Sequence, residues 1–122
     1  MKDMKFATDR INEALKNHEK ILIYGDYDVD GVASTALLSS FLRQRTINVF
    51  TYIPDRETEG YGISFNGIEK AFKKGVSLII SIDCGITAVE EIKYAKSNNI
   101  DFIICDHHLP KGKIPNAVAV LD

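Results

Sequence analysis

The chain has 122 residues, of which 45% are hydrophobic and 26% charged, with a formal net charge of −2. That length fits one domain able to bury roughly two-thirds of its unfolded surface, and the composition excludes a disordered or low-complexity chain. No apolar run approaches the ~18 residues of a spanning helix and the start, MKDMKFATDR, is too polar for a signal peptide, so a cytoplasmic protein without membrane association is expected.

Apolar positions Phe6, Ile11, Ala14 and Leu15, with charges between them, predict an amphipathic helix over residues 4–18. A strand follows over 20–24, then the acidic stretch GDYDVDG. Next comes a helix over 32–45 whose apolar face would include Ala33, Ala36, Leu37, Leu38, Phe41 and Leu42. Residues 47–53 read as a second strand ending at Pro54, and PDRETEGYGIS as a loop. Ser64 would cap a helix reaching Lys74, with Phe65, Ile68, Ala71 and Phe72 inward and Gly75 ending it. A strand over 77–82, a helix over 87–97, a turn at Asn98 and Asn99, and strands over 101–105 and 117–121 complete the pass. This alternation predicts an α/β fold: an open, mainly parallel five-stranded sheet with helices on both faces, in the order 2-1-3-4-5. Ligands of such sheets gather at the carboxyl ends of the strands.

Three of those ends carry acids. Asp26, Asp28 and Asp30 sit within five residues and repel one another unless a cation neutralises them. Asp83 in SIDCG follows the third strand, and Asp106, His107 and His108 follow the fourth. Oxygen donors with one or two imidazoles point to Mn²⁺ or Mg²⁺, the histidine favouring manganese, with zinc the lesser choice. The donors exceed what one octahedral ion takes, which points to two ions about 3.5–4 Å apart of the kind that activate water against phosphate esters. A solvated acidic turn is the plainer alternative for GDYDVDG. A calcium loop starting at Asp26 would need glutamate where Leu37 stands. Removing the five aspartate charges from −2 leaves +3 for the remainder, which permits a phosphate-binding patch without announcing one.

Arg56 is a candidate phosphate clamp or an ion-pair partner of Glu57 or Glu59. Tyr61, between Gly60 and Gly62, either stacks on a base or packs. Lys70, Lys73 and Lys74 share a helical face that is more often solvated than a DNA track. Cys84 and Cys105 read as small buried residues, without zinc-binding CxxC spacing.

In this order, GDYDVDG, SIDCG and ICDHH resemble the first three motifs of the DHH phosphoesterase superfamily, and GDYDVDG with PDRETEGYGIS is most similar to the RecJ single-strand exonucleases. The resemblance covers residues 20–122 and implies hydrolysis of phosphodiesters with a manganese or magnesium pair. It further implies 5′ to 3′ removal of nucleotides from single-stranded DNA, in DNA repair and recombination. Carried over by motif, it makes Asp28, Asp30, Asp83 and His107 metal ligands, with Asp83 bridging and Asp26 a further ligand. Asp106 would orient an imidazole, and His108 would contact the scissile phosphate or assist the leaving group. The implied catalytic set is thus Asp83, Asp106, His107 and His108, with Arg56, Tyr61 and His108 toward substrate. Many small members place a histidine before the first acid pair; Tyr24 stands here four residues before Asp28, which favours the RecJ-like branch. The resemblance also leads us to expect an N-terminal part of the catalytic domain, followed elsewhere by a fourth acidic motif and a second domain. A small-substrate phosphoesterase acting on short oligonucleotides or cyclic dinucleotide products, and a non-catalytic nucleic-acid-binding scaffold, are the alternatives.

Overall fold

The apolar runs pair as one parallel sheet. In the computed structural model its strands are β1 (Lys20–Tyr24), β2 (Val49–Tyr52), β3 (Val76–Ile82), β4 (Asp101–Cys105) and β5 (Ala119–Leu121), in the order β2-β1-β3-β4-β5. The predicted order and class hold. The helices are α1 (Met4–Lys16), α2 (Val29–Arg43), α3 (Arg56–Glu59), α4 (Phe65–Lys73) and α5 (Val89–Ser97). Residues 3–25, 29–59, 62–108 and 112–121 are described, with only the backbone of Val29, Asp30, Arg56 and Glu59. No helix of the described residues is long and apolar enough to cross a membrane.

Alternate residues of β1 enter two separate cores, because the sheet is covered on both faces. Leu22 and Tyr24 join Ile68 and Ala71 of α4 and Ile92 and Ala95 of α5. Ile21 and Ile23 join Ala7 and Ala14 of α1 and Leu42 of α2. The amino ends of the strands are tied together by one side chain: Arg10 on α1 reaches Asp101 at 2.8 Å and Glu19 at 2.7 Å, and Ser77 donates to the same Glu19 carboxylate at 2.5 Å. This network lies at the end of the strands opposite the carboxyl edge.

Several sequence expectations need correction. The inward face of α2 is formed by Gly31, Thr35, Ser39 and Leu42, with Leu38 half-buried. Ala33, Ala36, Leu37 and Phe41 face solvent, Leu37 being 76% exposed. Small residues let α2 approach the sheet closely, so apolar character is not the mark of its buried side. Phe6 on α1 and Phe65 and Phe72 on α4 are also exposed, while Ile68 and Ala71 are buried as expected. Strand β2 is shorter than residues 47–53, and Ile47 is 92% exposed. The loop after Pro54 contains the single turn α3, opened by Asp55, whose Oδ1 accepts from the Glu57 amide at 2.9 Å. Ser64 caps α4 as its type and position predict, accepting from the Gly67 amide at 3.0 Å.

Candidate metal centre

Level register brings the segments after β1, β3 and β4 to one edge. Tyr24 lies opposite Ser81, and Ile82 opposite Cys105, so the three chains leave the sheet side by side at strand spacings of about 4.8 Å. Asp83 is the first residue past β3. Its backbone is left-handed, with φ +59°, a conformation aspartate tolerates better than most residues, and its amide donates to the Cys105 carbonyl at 2.8 Å. Gly85 follows at φ +109°, where a Cβ would meet Ser81 Oγ at 2.8 Å. Only glycine lets the chain fold back over the end of β3 here.

That fold-back carries the Ile86 amide to Asp106 Oδ2 at 3.1 Å. The other carboxylate oxygen of Asp106 accepts from the His108 amide at 3.1 Å and lies 2.5 Å from His108 Nδ1. The Asp106 side chain is 2% exposed. Burial pushes its pKa up, but hydrogen bonds from the His108 ring, the His108 amide and the Ile86 amide, with the imidazole charge, outweigh burial and hold the carboxyl below the usual range. Asp106 therefore orients the His108 imidazole by engaging its Nδ1.

His107 points outward, 73% exposed, with Nδ1 at 3.5 Å from Asp83 Oδ1, and its ring stacks on His108 with centroids 4.5 Å apart. A 3.5 Å separation is too long for a good hydrogen bond. It is close to the ~3 Å between neighbouring donors of an octahedral ion with bonds of about 2.1 Å. Ligand atoms of Asp106, His107 and His108 fall within 4.8 Å of one another. Two buried hydroxyls, Thr35 Oγ1 and Ser81 Oγ, have no hydrogen-bond partner among the described residues and lie against Gly25 and Gly85 at this same edge. Carboxylate oxygen, imidazole nitrogen and orphaned hydroxyls fit a hard divalent cation such as Mn²⁺ or Mg²⁺ better than a thiolate-seeking one.

Of the residues singled out by sequence, Asp83, Asp106, His107 and His108 come together here. Asp30 lies in the first turn of α2 and Arg56 opens α3, both known by backbone alone, while Asp26, Asp28 and Tyr61 lie outside the described residues. Sequence reasoning missed the Ile86 amide, for which no side-chain signal exists. It also missed what Tyr24 does. Fully buried, Tyr24 accepts from the Ser64 amide at 3.0 Å, donates weakly to the Gly62 carbonyl at 3.4 Å and packs edge-on against Tyr52 with centroids 5.1 Å apart. It ties the end of the 55–64 segment to the end of β1, where GDYDVDG begins.

The model of the DHH family, N-terminal domain, matches residues 20–122. Among curated proteins, the single-stranded-DNA-specific exonuclease RecJ of Bacillus subtilis (strain 168) is 47% identical over 121 residues, covering 99% of this chain and 15% of its own length. The protein of the same name from Thermus thermophilus is 35% identical over 115 residues, 94% of this chain and 17% of its own. A crystal structure of exonuclease RecJ bound to manganese superimposes with a TM-score of 0.88 at 32% identity, over 97% of this chain and 30% of that one. The crystal structure of RecJ in complex with Mn²⁺ from Thermus thermophilus gives 0.82 at 28% identity, over 98% and 17%. The chain thus spans between 15% and 20% of the length of the RecJ proteins from B. subtilis and Haemophilus influenzae. With its motif order, sheet topology and family match in agreement, the chain belongs to the DHH family.

Proposed function

We propose that this chain carries the metal-binding face of a RecJ-type phosphodiesterase that hydrolyses single-stranded DNA. The observation that carries this reading is the convergence of Asp83, Asp106, His107 and His108 at one sheet edge, with Asp83 and His107 donor atoms 3.5 Å apart. Asp83 and His107 would hold divalent metal there, together with Asp26, Asp28 and Asp30 of the GDYDVDG stretch. When bound, manganese or magnesium supplies an activated water and neutralises charge on the phosphate. Asp106 fixes the His108 ring, so that Nε2 meets the scissile phosphate or protonates the leaving oxygen. Arg56 holds a flanking phosphate, and Tyr61 stacks against a base. A fourth acidic ligand and a second domain closing over the strand belong to a longer polypeptide.

The test uses a polypeptide of the relatives' length that contains this segment, with end-labelled single-stranded and duplex oligonucleotides. Manganese-dependent release of nucleotides from the single strand, lost in Asp83→Ala and His107→Ala, is expected, with little release by the 122-residue chain alone. Preference for duplex, or full activity in either variant, contradicts the proposal.

A further inference from the structure

Lys70, Lys73 and Lys74 stand together at the end of α4, apart from the residues of the carboxyl edge. Along the outer strand β2, the half-buried rings of Phe50 and Tyr52 lie on the face covered elsewhere by α4 and α5. Lys70 Nζ sits 5.4 Å from the Tyr52 ring centroid and Lys74 Nζ 5.5 Å from that of Phe50. Tyr52, Lys70, Lys73 and Lys74 line an open groove of about 320 Å³ together with Leu22 and Ala71, and the Phe50 ring lies beside it under Lys74. Among the described residues, none of the three ammonium groups is paired with a carboxylate. Lysine stems resting on apolar surface would account for one such contact. The three lysines put three positive charges within five residues of a chain of net charge −2.

The spacing suits an extended strand of nucleotides. Phe50 and Tyr52 are two strand residues apart, about 6.6 Å, and Lys70 and Lys74 are four helix residues apart, about 6 Å. The two ring–lysine pairs therefore repeat in step. The repeat is about twice the ~3.4 Å rise per nucleotide of a stacked strand, as for bases drawn apart so that each lies on a protein ring. Tyr52 ends β2 level with Tyr24, and the Gly25 amide donates to its carbonyl at 2.9 Å, so the row begins beside the first acidic loop and runs away from it. We infer that this groove binds two successive nucleotides of single-stranded nucleic acid, bases on Tyr52 and Phe50 and phosphates on Lys70 and Lys74. The inference rests on the proposed phosphodiesterase in placing the strand's reactive end at the acidic edge.

The test is fluorescence anisotropy of a labelled oligothymidylate with the 122-residue chain, in EDTA, over a series of salt concentrations. Lys70→Gln/Lys74→Gln should weaken binding tenfold or more and flatten the slope of log K against log salt by about 1.4, two phosphate contacts at ~0.7 each. Phe50→Leu should weaken binding about fivefold or more with the slope unchanged. Lys93→Gln/Lys96→Gln, which removes the same charge from α5, should leave both nearly unaltered. Equal effects of the two lysine pairs, no binding by the parent chain, or equally tight binding of polyglutamate overturns the inference. Because EDTA removes divalent ions, failure of the metal site would show in manganese titration and not in this readout.

Discussion

Replacing Gly67 with alanine sets helix propensity against packing. Gly67 lies inside α4 with no positive φ, so propensity alone favours alanine by about 1 kcal/mol. A Cβ there, however, would stand 2.7 Å from Tyr24 Oη and 2.8 Å from Tyr24 Cε2, and Tyr24 is fully buried. Overpacking of this kind costs roughly 1–3 kcal/mol. Moving the ring also weakens the 3.0 Å hydrogen bond from the Ser64 amide, about another 1 kcal/mol. The expected net loss is about 1–3 kcal/mol, or roughly 4–12 °C in Tm at this chain length. Thermal and urea unfolding followed by far-UV circular dichroism measure it. In a Tyr24→Ala background the clash is gone, and Gly67→Ala should become neutral or stabilising, so the two substitutions are non-additive. An unchanged or raised Tm for Gly67→Ala alone would refute the close packing of α4 on Tyr24.

Gly85→Ala should destabilise by about 2 kcal/mol or more, since it meets both a φ of +109° and Ser81 Oγ. Gly62→Ala, at φ +84° with nothing within 4 Å, should cost only the backbone strain of about 1 kcal/mol, and urea unfolding compares the two. Arg10→Ala should remove roughly 2 kcal/mol by stranding Glu19 and Asp101. The Glu19 carboxyl is held below its ordinary value by the Arg10 hydrogen bond, against burial and with help from Ser77. Its share of stability is therefore present above about pH 4.5 and is lost as pH falls through the lower folded-state value. The gap between parent and Arg10→Ala should narrow from pH 7 to pH 3 in urea unfolding; a gap that widens contradicts the sign. In a polypeptide of the relatives' length, Asp106→Asn should slow manganese-dependent nucleotide release about 100-fold by releasing His108, and a rate equal to the parent's would show that Asp106 does not orient the ring.

Strand order and the gathering of Asp83, Asp106, His107 and His108 were legible because both follow from coarse physics. Apolar runs followed by helical segments dictate parallel strands, and parallel strands put their carboxyl ends on one edge. The buried side of α2 was not legible. Gly31, Thr35 and Ser39 give no hydrophobic signal, whereas Leu37 and Phe41 give a strong one and face outward. Helix α3 escaped for the opposite reason, since Asp55 capping one turn resembles any polar loop. Pairing of Asp106 with His108 lies in the local chain, through the Asp106–His108 spacing. The Ile86 amide on the same carboxylate comes from twenty residues away and depends on the fold-back at Gly85.

The measurement that bears most directly on the metal site is calorimetric titration of Mn²⁺ into the 122-residue chain, with Asp83→Ala and His107→Ala proteins alongside. Saturable binding by the parent chain, lost or greatly weakened in both variants while their circular dichroism stays unchanged, is expected. Binding that survives both substitutions would place the ion elsewhere, and no binding by the parent chain would contradict a metal centre assembled from these three strand ends.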